Sequence, residues 1–214
     1  TATVYEKGAE VIGMLKALVG ETDYARALDT YFARHDGHAA TIEDWLKVFE
    51  DTTGRDLTQF KRWYTEAGTP RVTVQEDWDG RTYTLTLEQD NPPTPGQPDK
   101  GAKVLPVALG LLNPNGDEIR PTEVLELTEA RQSFRFEGLA SRPVASILRG
   151  FSAPVVLDAE YTDAQLLSLL AHDTDAFNRW EAGQRLALRR ALAAIRAEGP
   201  VPHEPLDAAY LGAM

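Results

Sequence analysis

Val11, Ile12, Leu15, Leu18 and Val19 recur at helical spacing, and the pattern predicts an amphipathic helix that Gly20 stops at a left-handed C′ position. The same period returns at Tyr24, Ala27, Leu28, Tyr31 and Phe32, up to His35-Asp36-Gly37. It returns again at Ile42, Trp45, Leu46 and Phe49, with Thr41 as the cap and Gly54 as the end. A fourth helix is expected to carry Leu57, Phe60, Trp63 and Tyr64, because Asp56 and Gln59 have the spacing of a capping box. The opening stretch therefore predicts an all-helical unit.

At RWYTEAGTPRVTV the period changes from helical to alternating. Gly68 ends the helical pattern, Pro70 blocks its continuation, and Val72 and Val74 alternate with polar neighbours. RTYTLTLEQ is the next strand and WDG supplies the hairpin turn. DNPPTPGQPDKGAK is too rich in Pro and Gly for regular structure and is expected to run along the surface. Further strands are predicted at VLPVALGLL, EVLELT, SFRFEG, ASILRGF and PVVLDAEY, and together they read as an antiparallel β-sandwich. Beyond Tyr161 the helical period resumes. Thr162 and Gln165 form a second capping-box signal ahead of Leu166, Leu167, Leu169 and Leu170. A longer helix carries Phe177, Trp180, Leu186, Leu188, Leu192 and Ile195, and EPLDAAYLGAM begins another. The predicted fold is α+β and multidomain. Residues 1–69 form a helical bundle, 70–161 the sandwich, and 162–214 the first helices of an α-helical array. Helical faces left unfilled at both ends are read as cuts within a longer protein.

Length and composition agree with more than one unit: 214 residues with 43% hydrophobic content can bury a sizeable core or two modest ones. A formal net charge of −11 and a pI near 4.8 oppose a sequence-independent grip on nucleic acid or an anionic membrane surface. No apolar run reaches the roughly 18 residues a membrane-spanning helix needs. The absence of cysteine rules out disulfides and thiolate metal sites, and the chain is expected to be cytoplasmic.

Candidate chemistry is sparse. His35 and His38 have ligand-like spacing, but Gly37 between them marks a helix end where the rings diverge. HEPLD at His203–Asp207 imitates a zinc motif with its last histidine replaced, and Pro205 restricts it to a first helical turn. The first is read as a polar helix end and the second as a coincidental match. His172 suits a helix C-terminus as a favourable charge. Arg185, Arg189, Arg190 and Arg196 read as solvated helix surface, and Trp45, Trp63 and Trp180 as core. Tyr5 is left with two readings. A tyrosine at a helix start packs with its hydroxyl at the rim, or it serves a site whose close approach the small Gly8 and Ala9 permit.

TATVYEKGAEVI, YFARHDGHAATIEDW, DLTQFKRWYTEAGTPRVTV, TPGQ with VLPVALGLL, and FSAPVVL resemble, in order, landmarks of the bacterial aminopeptidase N (alanyl aminopeptidase) family of zinc metallopeptidases. The likeness runs over residues 1 to about 195, and from about Pro200 no landmark is matched. It implies that residues 1–69 are the C-terminal helical part of a thermolysin-like catalytic domain, followed by a β-sandwich and a helical solenoid. It also implies that Tyr5, in V-Y-E-K-G, is the catalytic tyrosine. The family's zinc ligands, an H-E-x-x-H pair and a helical glutamate, are not in this sequence. The resemblance thus implies an internal fragment of a zinc-dependent enzyme acting on peptide substrates, itself unable to bind the metal or hydrolyse. Truncated helix faces could self-associate. The alternative reading, from another class, is a scaffold that binds a protein partner through its helices and sandwich.

Overall fold

In the computed structural model, residues 2–196 and 208–214 are described. A single π-turn, Ala2–Lys7, runs directly into α1, Gly8–Val19, which buries Val11, Met14, Leu15 and Leu18 on the face that the spacing marks. Gly20 has φ +82 and ψ 161, a positive-φ conformation open to glycine but outside the left-handed helical region. It turns the chain at once into α2, Glu21–His35. Thr41 and Asp44 cap α3, Ile42–Thr53, reciprocally, and Gly54 at φ 73, ψ 9 closes it in the left-handed conformation. The fourth helix is much shorter than its apolar spacing suggests, only Arg62–Thr65 (α4). The capping box expected at Asp56 and Gln59 does not form. Asp56 Oδ1 accepts from the Thr58 N–H in a local turn, while Gln59 Nε2 donates to the carbonyls of Ala102 and Thr128.

Seven strands follow: β1 Arg71–Trp78, β2 Tyr83–Asp90, β3 Leu105–Leu112, β4 Glu118–Leu127, β5 Arg131–Phe136, β6 Val144–Ile147 and β7 Val156–Asp158. They make two sheets, ordered β5-β2-β1-β7 and β4-β3-β6. The β1–β2 hairpin turns at Gly80, φ +97, where Asp79 Oδ1 accepts from the N–H groups of Arg81 and Thr82. Pairing is antiparallel except at β7, which lies parallel to β1. The chain crosses from the second sheet back to the first before β7, and a crossover permits parallel entry where a hairpin does not. Every residue of β3 is buried, because α1 covers it on one side. One core therefore joins α1, α3 and α4 to both sheets through Leu15, Phe49, Phe60, Leu85, Leu109 and their neighbours. Each such fully buried side chain contributes about 2 kcal/mol of transfer free energy.

Thr162 and Gln165 cap α5, Asp163–His172, reciprocally, and α6 (Ala176–Arg196) packs beside it. A short α7, Ala208–Ala213, follows. A second core joins Leu112 and Val144 of the sandwich to Leu166, Leu169, Leu170 and Leu186. The two units are also clasped by a buried polar cluster. Leu148 and Phe151, the two non-glycine residues with positive φ among the described residues, lie on either side of Arg149 at a 3-10 turn, Arg149–Phe151. The Arg149 guanidinium pairs with Asp173 at 2.9 Å and with Glu118 at 2.5 Å, and donates to Ser146 Oγ and Thr122 Oγ1. Ser146 Oγ donates to Asp173, and Asn178 Nδ2 donates to Ser146 Oγ and to the Ile147 carbonyl. Glycine at position 110 is what admits the guanidinium, since a Cβ there would lie 2.0 Å from Arg149 Cζ.

Trp63 is core at 6% exposure, but Trp180 is 55% exposed, so the apolar face of α6 does not place it in a core among the described residues. The arginines of α6 are not simply solvated. Arg185 pairs with Glu181 and lies over the Tyr161 ring, Arg189 pairs with Asp163, and Arg190 lies over Tyr210.

Candidate active site

Tyr5 projects from the π-turn and is 74% exposed in this chain. Its hydroxyl makes no hydrogen bond among the described residues. Beside it runs an apolar groove of about 780 Å³ between the π-turn and the α2–α3 corner, lined by Val4, Ile12, Tyr31, Ile42, Trp45 and Tyr64 among others. Gly8 and Ala9 line the same groove, so its wall is low one turn beyond Tyr5. Trp45 is half-buried and belongs to this wall as well as to the core, where it packs on Phe49 at 4.6 Å and edge-on to Tyr31 at 5.1 Å. Burial pushes the Tyr64 phenol up, so this second groove hydroxyl stays protonated.

A second groove, of about 460 Å³, adjoins the first along Thr3, Gly8 and Tyr64 and is lined by Lys7, Val11, Trp63, Glu66 and Gly68. Lys7 Nζ donates to the Gly68 carbonyl at 2.5 Å and lies 5.8 Å from the centre of the Trp63 ring. Burial first, then the nearby Lys103 and Lys100, push its amine below the usual lysine range. Lys103 crosses the same ring at 5.5 Å, pairs with Glu66 at 2.9 Å and donates to the Arg62 carbonyl; burial lowers it too, against the pull of Glu66. No sequence pattern singled out Lys7. The available signal was its place two residues beyond Tyr5, since positions i and i+2 of a helical turn do not share a face.

No group of three or more His, Cys, Asp or Glu side chains able to hold a metal ion occurs among the described residues. His35 stacks on Tyr31, His38 is exposed, and His172 packs against Gly116. His203 and Asp207 lie outside the described residues.

Residues 1–64 match the peptidase family M1 domain, residues 68–160 an Ig-like domain of unknown function (DUF3458), and residues 163–214 an ARM-repeat domain of unknown function (DUF3458_C). Aminopeptidase N of Caulobacter vibrioides is 46% identical over all of the chain and 25% of its own length, and that of Escherichia coli 43% identical over 87% of the chain and 22% of its own. A crystal structure of Legionella pneumophila aminopeptidase A in complex with aspartic acid superposes on the whole chain with TM-score 0.85 and 31% identity, over 24% of that protein. The chain thus spans about a quarter of the length of these relatives, and the likeness extends past Pro200, where the sequence landmarks stop, to Met214.

Proposed function

Since the chain belongs to the aminopeptidase N family over the stretch it spans, we propose that it forms part of an enzyme that removes N-terminal residues from peptides, with Tyr5 donating a hydrogen bond to the oxyanion of the tetrahedral intermediate. The observation that carries this reading is the placement of Tyr5: exposed, with its hydroxyl uncommitted among the described residues, at the lip of an apolar groove. Residues 1–69 then serve as the helical end of the catalytic domain, the sandwich as its support, and residues 162–214 as the start of the helical array.

The described residues do not fit the zinc that the family implies, and its ligands belong to other parts of the enzyme. What this chain supplies is a phenol O–H donor. When water adds to a peptide carbonyl, negative charge builds on the carbonyl oxygen, and a donor fixed in advance at that point stabilises the transition state more than the ground state. The loss of one such donor costs about 3 kcal/mol, on the order of a hundredfold in kcat. Tyr5→Phe in the intact enzyme is therefore expected to lower kcat about a hundredfold while KM changes little. A variant that keeps most of its kcat overturns the assignment. The 214-residue chain by itself is expected to leave aminoacyl amides uncleaved, and chelator-sensitive cleavage by it would refute the account of the metal ligands.

A further inference from the structure

We propose that Lys7 is a positioning residue through which the β-sandwich holds Tyr5 in place. The inference rests on the reading of Tyr5 as the oxyanion donor. Tyr5 and Lys7 leave the same π-turn into adjoining grooves, so Lys7 can hold the element while the Tyr5 hydroxyl stays uncommitted among the described residues. What Lys7 grips is the carbonyl of Gly68, in the connection between α4 and β1. That connection is held in turn by the Pro-rich loop of the sandwich. Gln97 receives the Ala67 N–H at 2.7 Å and donates to the Thr65 carbonyl at 2.8 Å, and Lys100 Nζ donates to the carbonyls of Ala67 and Pro92. A continuous chain of hydrogen bonds therefore runs from the sandwich loop through the connection to the turn that bears Tyr5. The Trp63 ring, with Lys7 over it at 5.8 Å and its own indole N–H on the Val104 carbonyl, keeps that chain in register.

A displacement near 1 Å at a catalytic group costs up to a hundredfold in rate. The test uses the intact enzyme and five variants: Lys7→Met, Lys7→Arg, the pair Gln97→Ala/Lys100→Met, Tyr5→Phe, and Tyr5→Phe/Lys7→Met. Lys7→Met is expected to lower kcat about tenfold with KM within twofold, and Lys7→Arg, which can still donate to the Gly68 carbonyl, to recover most of the loss. The loop pair is expected to lower kcat in the same sense from the far end of the chain of bonds, which keeps the test available if Lys7→Met folds poorly. In the Tyr5→Phe background Lys7→Met is expected to cost less than a further twofold, because there is no longer a hydroxyl to misplace. Full multiplication of the two losses, an effect of Lys7→Met on KM alone, or an unchanged kcat overturns the proposal. A Tyr5→Phe enzyme that retains its kcat instead overturns the reading of Tyr5 beneath it, whatever Lys7→Met does.

Discussion

Removing Arg149 tests how the sandwich is joined to the helices that follow it. In Arg149→Met, Asp173 keeps the Ser146 hydroxyl at 2.5 Å and the Asp175 N–H at 2.9 Å but loses its paired cation, and its side chain is 0% exposed. Glu118, 29% exposed, recovers water on losing the same partner, so the cost falls on Asp173. Breaking one side of a buried pair costs about 3–5 kcal/mol, and the two hydrogen bonds left to the carboxylate place this case near 4, close to a thousandfold in an opening equilibrium. Asp173→Asn retains a polar group of the same shape and leaves Arg149 its Glu118 contact, so about 1–3 kcal/mol is expected. In the double variant the uncompensated charge is gone, and the total should fall short of the sum by more than about 1 kcal/mol. Native-state hydrogen exchange reads this by region. Amides of α5, α6 and β6 are expected to exchange far faster in Arg149→Met, while those of α1 and α3 serve as internal reference. Additive losses, or a loss shared equally by α1 and α3, would refute the view that the cluster acts as a local clasp.

The same cluster gives two shorter predictions. Gly110→Ala places a methyl group within 2.0–2.5 Å of three guanidinium atoms of Arg149 inside a buried strand, and is expected to destabilise by about 3 kcal/mol, read as a lower denaturation midpoint. A wild-type midpoint would show that the arginine is not confined there. The Glu118 carboxyl is held below its usual 4.5, chiefly by the hydrogen bond from Arg149 and against a smaller cost of burial. Over the window from that value down to the folded pKa, the unfolded chain binds more protons than the folded one. The Glu118 contribution is thus complete above 4.5 and is lost as pH falls through the folded value. Between pH 6 and pH 3, Glu118→Gln is expected to lose less thermal stability than the wild type, and parallel curves would contradict this.

The legible features of the sequence were those decided within a few residues. The spacing Val11, Leu15, Leu18 reports one buried face, and the Thr41 and Thr162 boxes close on backbone three residues away. Asp56 and Gln59 have an equally good local pattern, but Gln59 finds two carbonyls more than forty residues away, Ala102 and Thr128, and sequence spacing carries no record of that competition. Alternation in PVVLDAEY identified a strand but not its partner, so the parallel register of β7 on β1 could not be read. An apolar position at Trp180 marks a face and says nothing of what covers it. The Arg149 clasp was hidden because a charged residue after a short strand usually meets water. Its one trace is Gly110 interrupting the apolar run of β3, where a strand gains nothing from glycine unless something must come close.

Three tyrosines show why the placement of Tyr5, more than its identity, bears on chemistry. Tyr161 is 8% exposed, its hydroxyl donates to the Ala145 carbonyl at 2.9 Å, and burial pushes its phenol well up. It is a protonated donor, but one already committed to backbone. Tyr64 is protonated too, yet half-buried in the groove wall facing Trp45. A group that must meet charge appearing on a substrate has to satisfy two conditions that oppose each other. It must be held still, which burial provides, and its hydroxyl must be available, which burial removes. Tyr5 meets the second condition through exposure, and it can meet the first only if its backbone is fixed from elsewhere. The π-turn buries none of its six residues. Under the proposed role of Tyr5, Lys7, bonded to the Gly68 carbonyl, is the member of the turn that supplies such a hold.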